Sequence, residues 1–216
     1  MQRFSGHQYL KGLMAAVIVL LLSPPAHALA LESRQDLVRI QDIDPTIRIE
    51  MRYAGSHNFT GRQIYAAPVC VMRRGTAEKL ARANAEFAKR GFRLKIWDAY
   101  RPLSVQKKIW KLVPDRRYVA NPQGNASRHN RGAAVDVTLV DELGRELIMP
   151  SEFDDFSYRA QRNYPGISPF AQNNAAYLAE VMEQAGFRPL DSEWWHFDDT
   201  DWKLYPVEDI PLENFL

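Results

Sequence analysis

Ile47, Ile49, Met51 and Tyr53 alternate with Arg48, Glu50 and Arg52, the period of a half-buried strand, and Asn58-Phe59-Thr60-Gly61 ends that run in a turn. Val69 and Val71 mark another short strand. Thr76 reads as an N-cap for a helix through about Arg90, with Leu80, Ala83 and Phe87 on its inner face and Gly91 just past its end. Phe92, Leu94 and Ile96 then alternate with Arg93 and Lys95, predicting a strand that runs into Trp97-Asp98-Ala99-Tyr100-Arg101-Pro102. Ser104 is placed to cap a second helix through Leu112, which Pro114 closes. Residues 115–128, rich in Asn, Arg and Gly, read as a loop. Ala134, Asp136 and Thr138 alternate with Val135, Val137 and Leu139, so the next strand is apolar on one side and carries Asp136 on the other. A helix over about Gln172–Ala185 turns Ala175, Leu178, Ala179 and Met182 inward and stops at Gly186. From Phe187 a last core strand or extended segment carries Glu193 and His196. With no internal repeat and no interior linker, the pattern predicts a single α+β domain, a mostly antiparallel sheet with helices packed on one side.

The first thirty residues follow different rules. Arg3 and Lys11 precede the charge-free run Leu13 to Leu22, Pro24 and Pro25 break it, and Ala26-His27-Ala28 or Ala28-Leu29-Ala30 offers small residues for cleavage. This is the layout of a secretory signal peptide, and it divides the chain into residues 1–30 and a domain over 31–216. The run is about half the roughly 20 residues that span a bilayer, so no stable membrane anchor is expected after cleavage. Losing Arg3 and Lys11, with no acidic residue in that segment, takes the formal charge from +2 to zero. A neutral chain without a basic run gives no reason to expect a nucleic-acid partner. Cys70 is the sole cysteine, so no internal disulfide forms, and within Pro68-Val69-Cys70-Val71-Met72 it reads as a small buried apolar residue. An exported, cystine-free chain is expected in a periplasm.

Three histidines remain in the domain: His57, His129 and His196. His57 lies in a loop context. His129 sits in Ser127-Arg128-His129-Asn130-Arg131-Gly132-Ala133-Ala134-Val135-Asp136, and His196 closes Glu193-Trp194-Trp195-His196. A hydrolytic zinc takes three N/O ligands and keeps one position open for water, with a carboxylate outside the ligand set to take the proton. His129, Asp136 and His196 suit the first task and Glu193 the second. The gap of seven lets His129 enter from the loop while Asp136 points from the strand, with Gly132 allowing a tight turn between them. Glu193 and His196, three apart, fall on opposite faces of a regular strand. Both reach one metal only if that segment is bulged, coiled or helical.

Ser-x-His-x-x-Gly-x-Ala-x-Asp followed by Glu-x-x-His resembles the zinc D-Ala-D-Ala peptidases that include the vancomycin-resistance dipeptidases. Tyr53 with Asn58-Phe59-Thr60-Gly61, the stretch Trp97 to Pro102, and Phe153-Asp154 extend the resemblance over about residues 40–205. It implies one Zn2+ per chain on His129, Asp136 and His196, with Glu193 as general base. It also implies that Arg101 polarises the scissile carbonyl, which agrees with the physics of a cation fixed where negative charge develops. Ser127 would meet the substrate carboxylate, and Tyr53 with Asp154 its free ammonium. The expected reaction is hydrolysis of a small dipeptide, D-Ala-D-Ala, and the export signal favours scavenging or wall turnover over a resistance role. The competing readings are a D,D- or L,D-carboxypeptidase acting on longer wall peptides, a metal-stabilised wall-binding domain without catalysis, and a two-histidine, one-carboxylate iron oxygenase. Glu193 has no evident task in either of the last two.

Overall fold

The computed structural model describes residues 35–216, so the expected signal peptide lies outside the described residues. Its strands are β1 (Leu37–Arg39), β2 (Arg48–Ile49), β3 (Val71–Arg73), β4 (Arg93–Asp98), β5 (Ala134–Val140), β6 (Phe187–Leu190) and β7 (Glu193–Asp199). The helices are α1 (Arg74–Ala88), α2 (Leu103–Leu112) and α3 (Pro169–Gln184). A five-stranded sheet runs in the order β2-β4-β5-β7-β6, antiparallel except for the β2–β4 pair, and β1 with β3 forms a separate antiparallel ribbon. This is the expected α+β arrangement.

The register explains how the sheet separates core from chemistry. Residues directly opposite in an antiparallel pair share a face. Leu94 faces Leu139, Ile96 faces Val137 and Val135 faces Phe197, which makes one continuous apolar face. Leu80 and Phe87 of α1 and Leu178 and Met182 of α3 close over it as the hydrophobic core. The opposite face carries Ala134, Asp136 and Thr138, with His196 opposite Asp136 and Asp198 opposite Ala134. All seven residues of β5 are buried, so Asp136 lies on a covered face rather than a solvated one.

Several boundaries move from their predicted places, each for a local reason. Ile47, Met51 and Tyr53 are buried as their alternation predicts, yet only Arg48–Ile49 pairs with β4 before the chain coils into a short 3-10 turn at Arg52–Ala54. Arg52 is itself buried, stacked 5.1 Å over the Trp97 ring, which breaks the period. Thr76 is not a cap. α1 has already begun at Arg74, and the Thr76 hydroxyl donates to Asp199 Oδ2 at 2.6 Å. Ser104 does not cap α2 either; its N–H donates to the distant Asp209 carboxylate at 2.7 Å. α3 begins three residues before Gln172, because Ser168 accepts from the Ala171 N–H and Pro169 stands in the first turn. The segment after Gly186 is a hairpin of two strands. Cys70 is buried as expected, and burial pushes its thiol well up, away from reactivity. Among the described residues no helix is long and apolar enough to cross a membrane.

Candidate active site

His129, Asp136 and His196 converge on the Asp136 face of the sheet. His129 comes from a 3-10 turn (Arg128–Arg131) that Ser127 caps, and Gly132 follows it with φ +65°. That glycine is required twice over, since a Cβ there would also stand 2.7 Å from the Leu37 side chain. Asp136 and His196 are cross-strand partners on β5 and β7. His129 Nε2 lies 3.2 Å from His196 Nδ1 and 3.4 Å from Asp136 Oδ1, and His196 Nδ1 lies 3.0 Å from the same oxygen.

The protons decide what this triangle wants. His129 Nδ1 is 2.7 Å from the Ala99 carbonyl oxygen, which only accepts, so in the neutral ring Nδ1 carries the hydrogen and Nε2 a lone pair. His196 Nε2 is 3.0 Å from Asp198 Oδ1, so its inward Nδ1 likewise presents a lone pair. With both rings neutral, three acceptor atoms face one another, an arrangement that calls for a cation, and without a metal a proton on His196 Nδ1 fills that role. Burial opposes charge on His196, but Asp136 and Asp198 override it and hold its pKa at about 10. Burial likewise works to raise the Asp136 pKa, and the two histidines hold it well below the usual carboxylate range. Zinc ligands at about 2.0–2.1 Å in tetrahedral array stand about 3.3 Å apart. The three separations fit that edge length. Ala99 and Asp198 are the outer partners that fix each ring's tautomer.

Glu193 is half-buried beside the cluster, with Oε2 3.9 Å from His196 Nδ1, near the candidate metal site without being one of its three donors. Burial raises its pKa, with the histidines partly opposing. Of the three ways Glu193 and His196 could share a face, the chain uses an irregular strand pairing. Pro189 pairs with Phe197 while the next residue, Leu190, pairs with Glu193, so Trp194 to His196 are extra on β7. Arg162 holds this irregular segment, donating to the carbonyls of Leu190, Glu193 and His196 at 3.0, 3.4 and 3.1 Å and stacking 4.6 Å over Phe197.

Arg101 is buried and tightly held. Its Nε and Nη2 donate to Asp98 Oδ2, its Nη1 donates to Gln106 Oε1 at 2.8 Å, and its guanidinium stacks 5.2 Å over Tyr53. Asp98 reaches this position through a bulge at Trp97 in β4 and also accepts from the Tyr65 hydroxyl. Ser127 Oγ accepts from the His129 N–H at 3.2 Å, and Ser127 lines the cleft. In the same cleft Tyr53 donates to Asp154 Oδ1 at 2.9 Å, and the Phe59 N–H lies 3.4 Å from Oδ2. Asp154 adopts φ +60°, a strained conformation for a residue with a side chain, and burial lifts its carboxyl to about 7. Of the neighbouring acids, Glu152 is exposed and Asp155 accepts from the Ser157 N–H instead. All eight expected site residues line one cleft of about 250 Å³. The Asp98 pairing with Arg101 was open to a reading of their three-residue spacing, whereas Gln106, Asp198 and Arg162 act on another side chain or on backbone and sit in no recognisable spacing.

A buried two-histidine, one-carboxylate cation site, a carboxylate beside it and a fixed arginine define a metallohydrolase. Sequence comparison makes the class specific. The D-ala-D-ala dipeptidase family pattern matches residues 33–211, and the chain belongs to that family. It is 37% identical to the D-alanyl-D-alanine dipeptidase of Escherichia coli strain K12, over 80% of this chain and 89% of the relative. It is 30% identical to that of Enterococcus faecium, over 81% of this chain and 93% of the relative. A solved vancomycin-resistance D,D-pentapeptidase in complex with Zn(II) aligns over 79% of this chain and 90% of its own, at 15% identity and a TM-score of 0.39, too loosely to bear on the site.

Proposed function

We infer that this protein is a zinc-dependent D-alanyl-D-alanine dipeptidase that hydrolyses D-Ala-D-Ala to two D-alanines. The observation that supports this most is that one cleft holds, with the cation site, two groups of different chemistry: the Ser127 hydroxyl and the Tyr53–Asp154 pair. A free dipeptide has a carboxylate and an ammonium to match them. At about 250 Å³ the cleft is at the small end of ligand pockets, which run from about 300 to 1,000 Å³.

His129, Asp136 and His196 would hold one zinc per chain, which when bound supplies a Lewis acid and a water of lowered pKa. Glu193 accepts the proton of the attacking water and returns it to the leaving amine as the peptide C–N bond breaks. Its raised pKa suits both halves of that transfer. Arg101, immobilised by Asp98 and Gln106, faces the negative charge that develops on the carbonyl oxygen without reorganising. Tyr53 keeps an oxygen lone pair for the substrate ammonium while donating to Asp154. With the charge-free run at residues 13–22, export to a periplasm and a role in scavenging or wall turnover complete the reading.

The test is incubation of the purified protein with D-Ala-D-Ala, L-Ala-L-Ala and a wall pentapeptide, with and without chelator. Chelator-sensitive release of D-alanine from the first alone is expected, and equal turnover of the pentapeptide would favour a carboxypeptidase. Glu193→Ala should retain zinc and lose about 10²–10⁴-fold in turnover. Near-normal turnover in that variant would move the base elsewhere.

A further inference from the structure

The catalytic cleft has a neighbour. A second cavity of about 320 Å³ adjoins it, lined in part by Asp155, Ser157, Tyr158 and Gln161. The two cavities share Arg117, Tyr118, Phe156, Ser192, Glu193 and Trp195, so these residues form the partition between them. The chain itself crosses that partition within four residues. Asp154 lines only the inner cleft, Phe156 lines both, and Ser157 lines only the outer cavity.

Phe156 is held from both sides. Its ring centroid lies 5.0 Å from that of Tyr118, on the loop leading to Ser127, and 5.2 Å from that of Phe59, on the turn whose N–H reaches Asp154. Three loops distant in sequence therefore meet in aromatic contact beside the Tyr53–Asp154 pair. Tilted rings at these separations pack favourably, so the two contacts tie the loops together. Neither Tyr118 nor Phe156 is fully buried, and neither lies in a strand of the sheet, although Tyr118 packs against the edge of the core.

We propose that the Tyr118–Phe156 contact is the specificity wall that limits the substrate to two residues, and that the outer cavity is a latent subsite for the residues preceding D-Ala-D-Ala in a longer peptide. This rests on the dipeptidase reading. A chain growing from a substrate nitrogen beside Asp154 towards the second cavity meets the Phe156 ring, which lines both spaces. Beyond it the outer cavity offers what an extended peptide needs: aromatic surface from Tyr158 and Trp195, and polar groups from Gln161, Ser157 and Arg117. Opening the wall joins the two spaces. The enzyme then acquires activity on peptides without any change to its zinc ligands, Glu193 or Arg101.

The experiment measures kcat/KM for D-Ala-D-Ala and for a pentapeptide ending in D-Ala-D-Ala, on the unmodified enzyme and on Phe156→Ala and Tyr118→Ala. The peptide-to-dipeptide ratio is expected to rise about tenfold or more in both variants, as steric exclusion is relieved. An unchanged ratio in variants that still cleave the dipeptide overturns the proposal. So does an unmodified enzyme that cleaves both substrates equally, although the metallopeptidase reading then survives. An unmodified enzyme inactive on the dipeptide refutes the dipeptidase reading itself, before any variant is made. Should thermal melting show that either alanine variant fails to fold, Phe156→Leu keeps apolar volume without the ring, and its ratio decides.

Discussion

Two aspartates lie buried on opposite faces of the same strand pair, and they have opposite fates. Asp199, on the helix-covered face, is surrounded by donors. It accepts from the Thr76 hydroxyl at 2.6 Å, from the Asp201 N–H at 2.8 Å and from the Lys79 ammonium, which also reaches Asp201 Oδ2 at 2.9 Å. Asp136, on the other face, meets the inward nitrogens of His129 and His196, both turned there by outer acceptors. The first carboxylate is neutralised by its own chain and ties α1 to the sheet. The second is left facing acceptors and needs an ion from outside. Burial of an acid therefore does not mark a metal site; the balance of donors and acceptors around it does.

The sharpest way to break this comparison is to remove each carboxylate in turn. Asp136→Ala should lose bound zinc and with it hydrolysis, while unfolding much as a metal-free protein does. Asp199→Ala leaves the Lys79 charge buried without its main partner and should cost about 3–5 kcal/mol in urea unfolding, with zinc affinity intact. Metal analysis and unfolding curves on both variants decide it. Full zinc in the first, or lost zinc in the second, would reverse the assignment.

A smaller effect tests the outer shell. Asp198 fixes the His196 tautomer and also lies 3.5 Å from Arg128 Nε. Asp198→Ala should weaken zinc binding about 10–100-fold in chelator competition, without removing a ligand. Unaltered affinity would mean that strand pairing alone orients the ring.

The smallest effect concerns pH. Burial raises the Asp154 carboxyl from 3.8 to about 7, so between those values the folded protein holds a proton that the unfolded chain has released. The unfolded state binds fewer protons, and stability falls as pH rises through that window. Asp154→Asn should flatten this part of the profile. Melting temperatures of both proteins from about pH 4 to about pH 8 measure it, and parallel curves would assign the slope to another group.

How much of this was legible in the chain depends on the range of the interaction. The strands at Arg93–Asp98 and Ala134–Val140 and the inner faces of the helices follow from periodicity, because an amphipathic pattern is a local record of which side is buried. The three ligands and Glu193 were legible because their chemistry is concentrated in two short motifs. Helix starts were less so. Thr76 and Ser104 have the right chemistry for caps, yet a distant aspartate claims the Thr76 hydroxyl and another takes the Ser104 N–H. No local window contains either partner.

What the sequence by itself determined is the fold class, the candidate metal donors and the family, since each is written in residue types at short spacing. Only the tertiary structure decided how Glu193 and His196 share a face, because the extra residues in β7 are visible only against β6, with Arg162 holding their carbonyls from thirty residues away. It alone set Asp154 apart from its acidic neighbours, through the hydrogen bond from the Tyr53 hydroxyl. It alone brought Tyr118, Phe156 and Phe59 together. The physical reason is the same each time: hydrogen bonds and ring contacts are satisfied in space, and partners far apart in the chain leave no periodic trace along it.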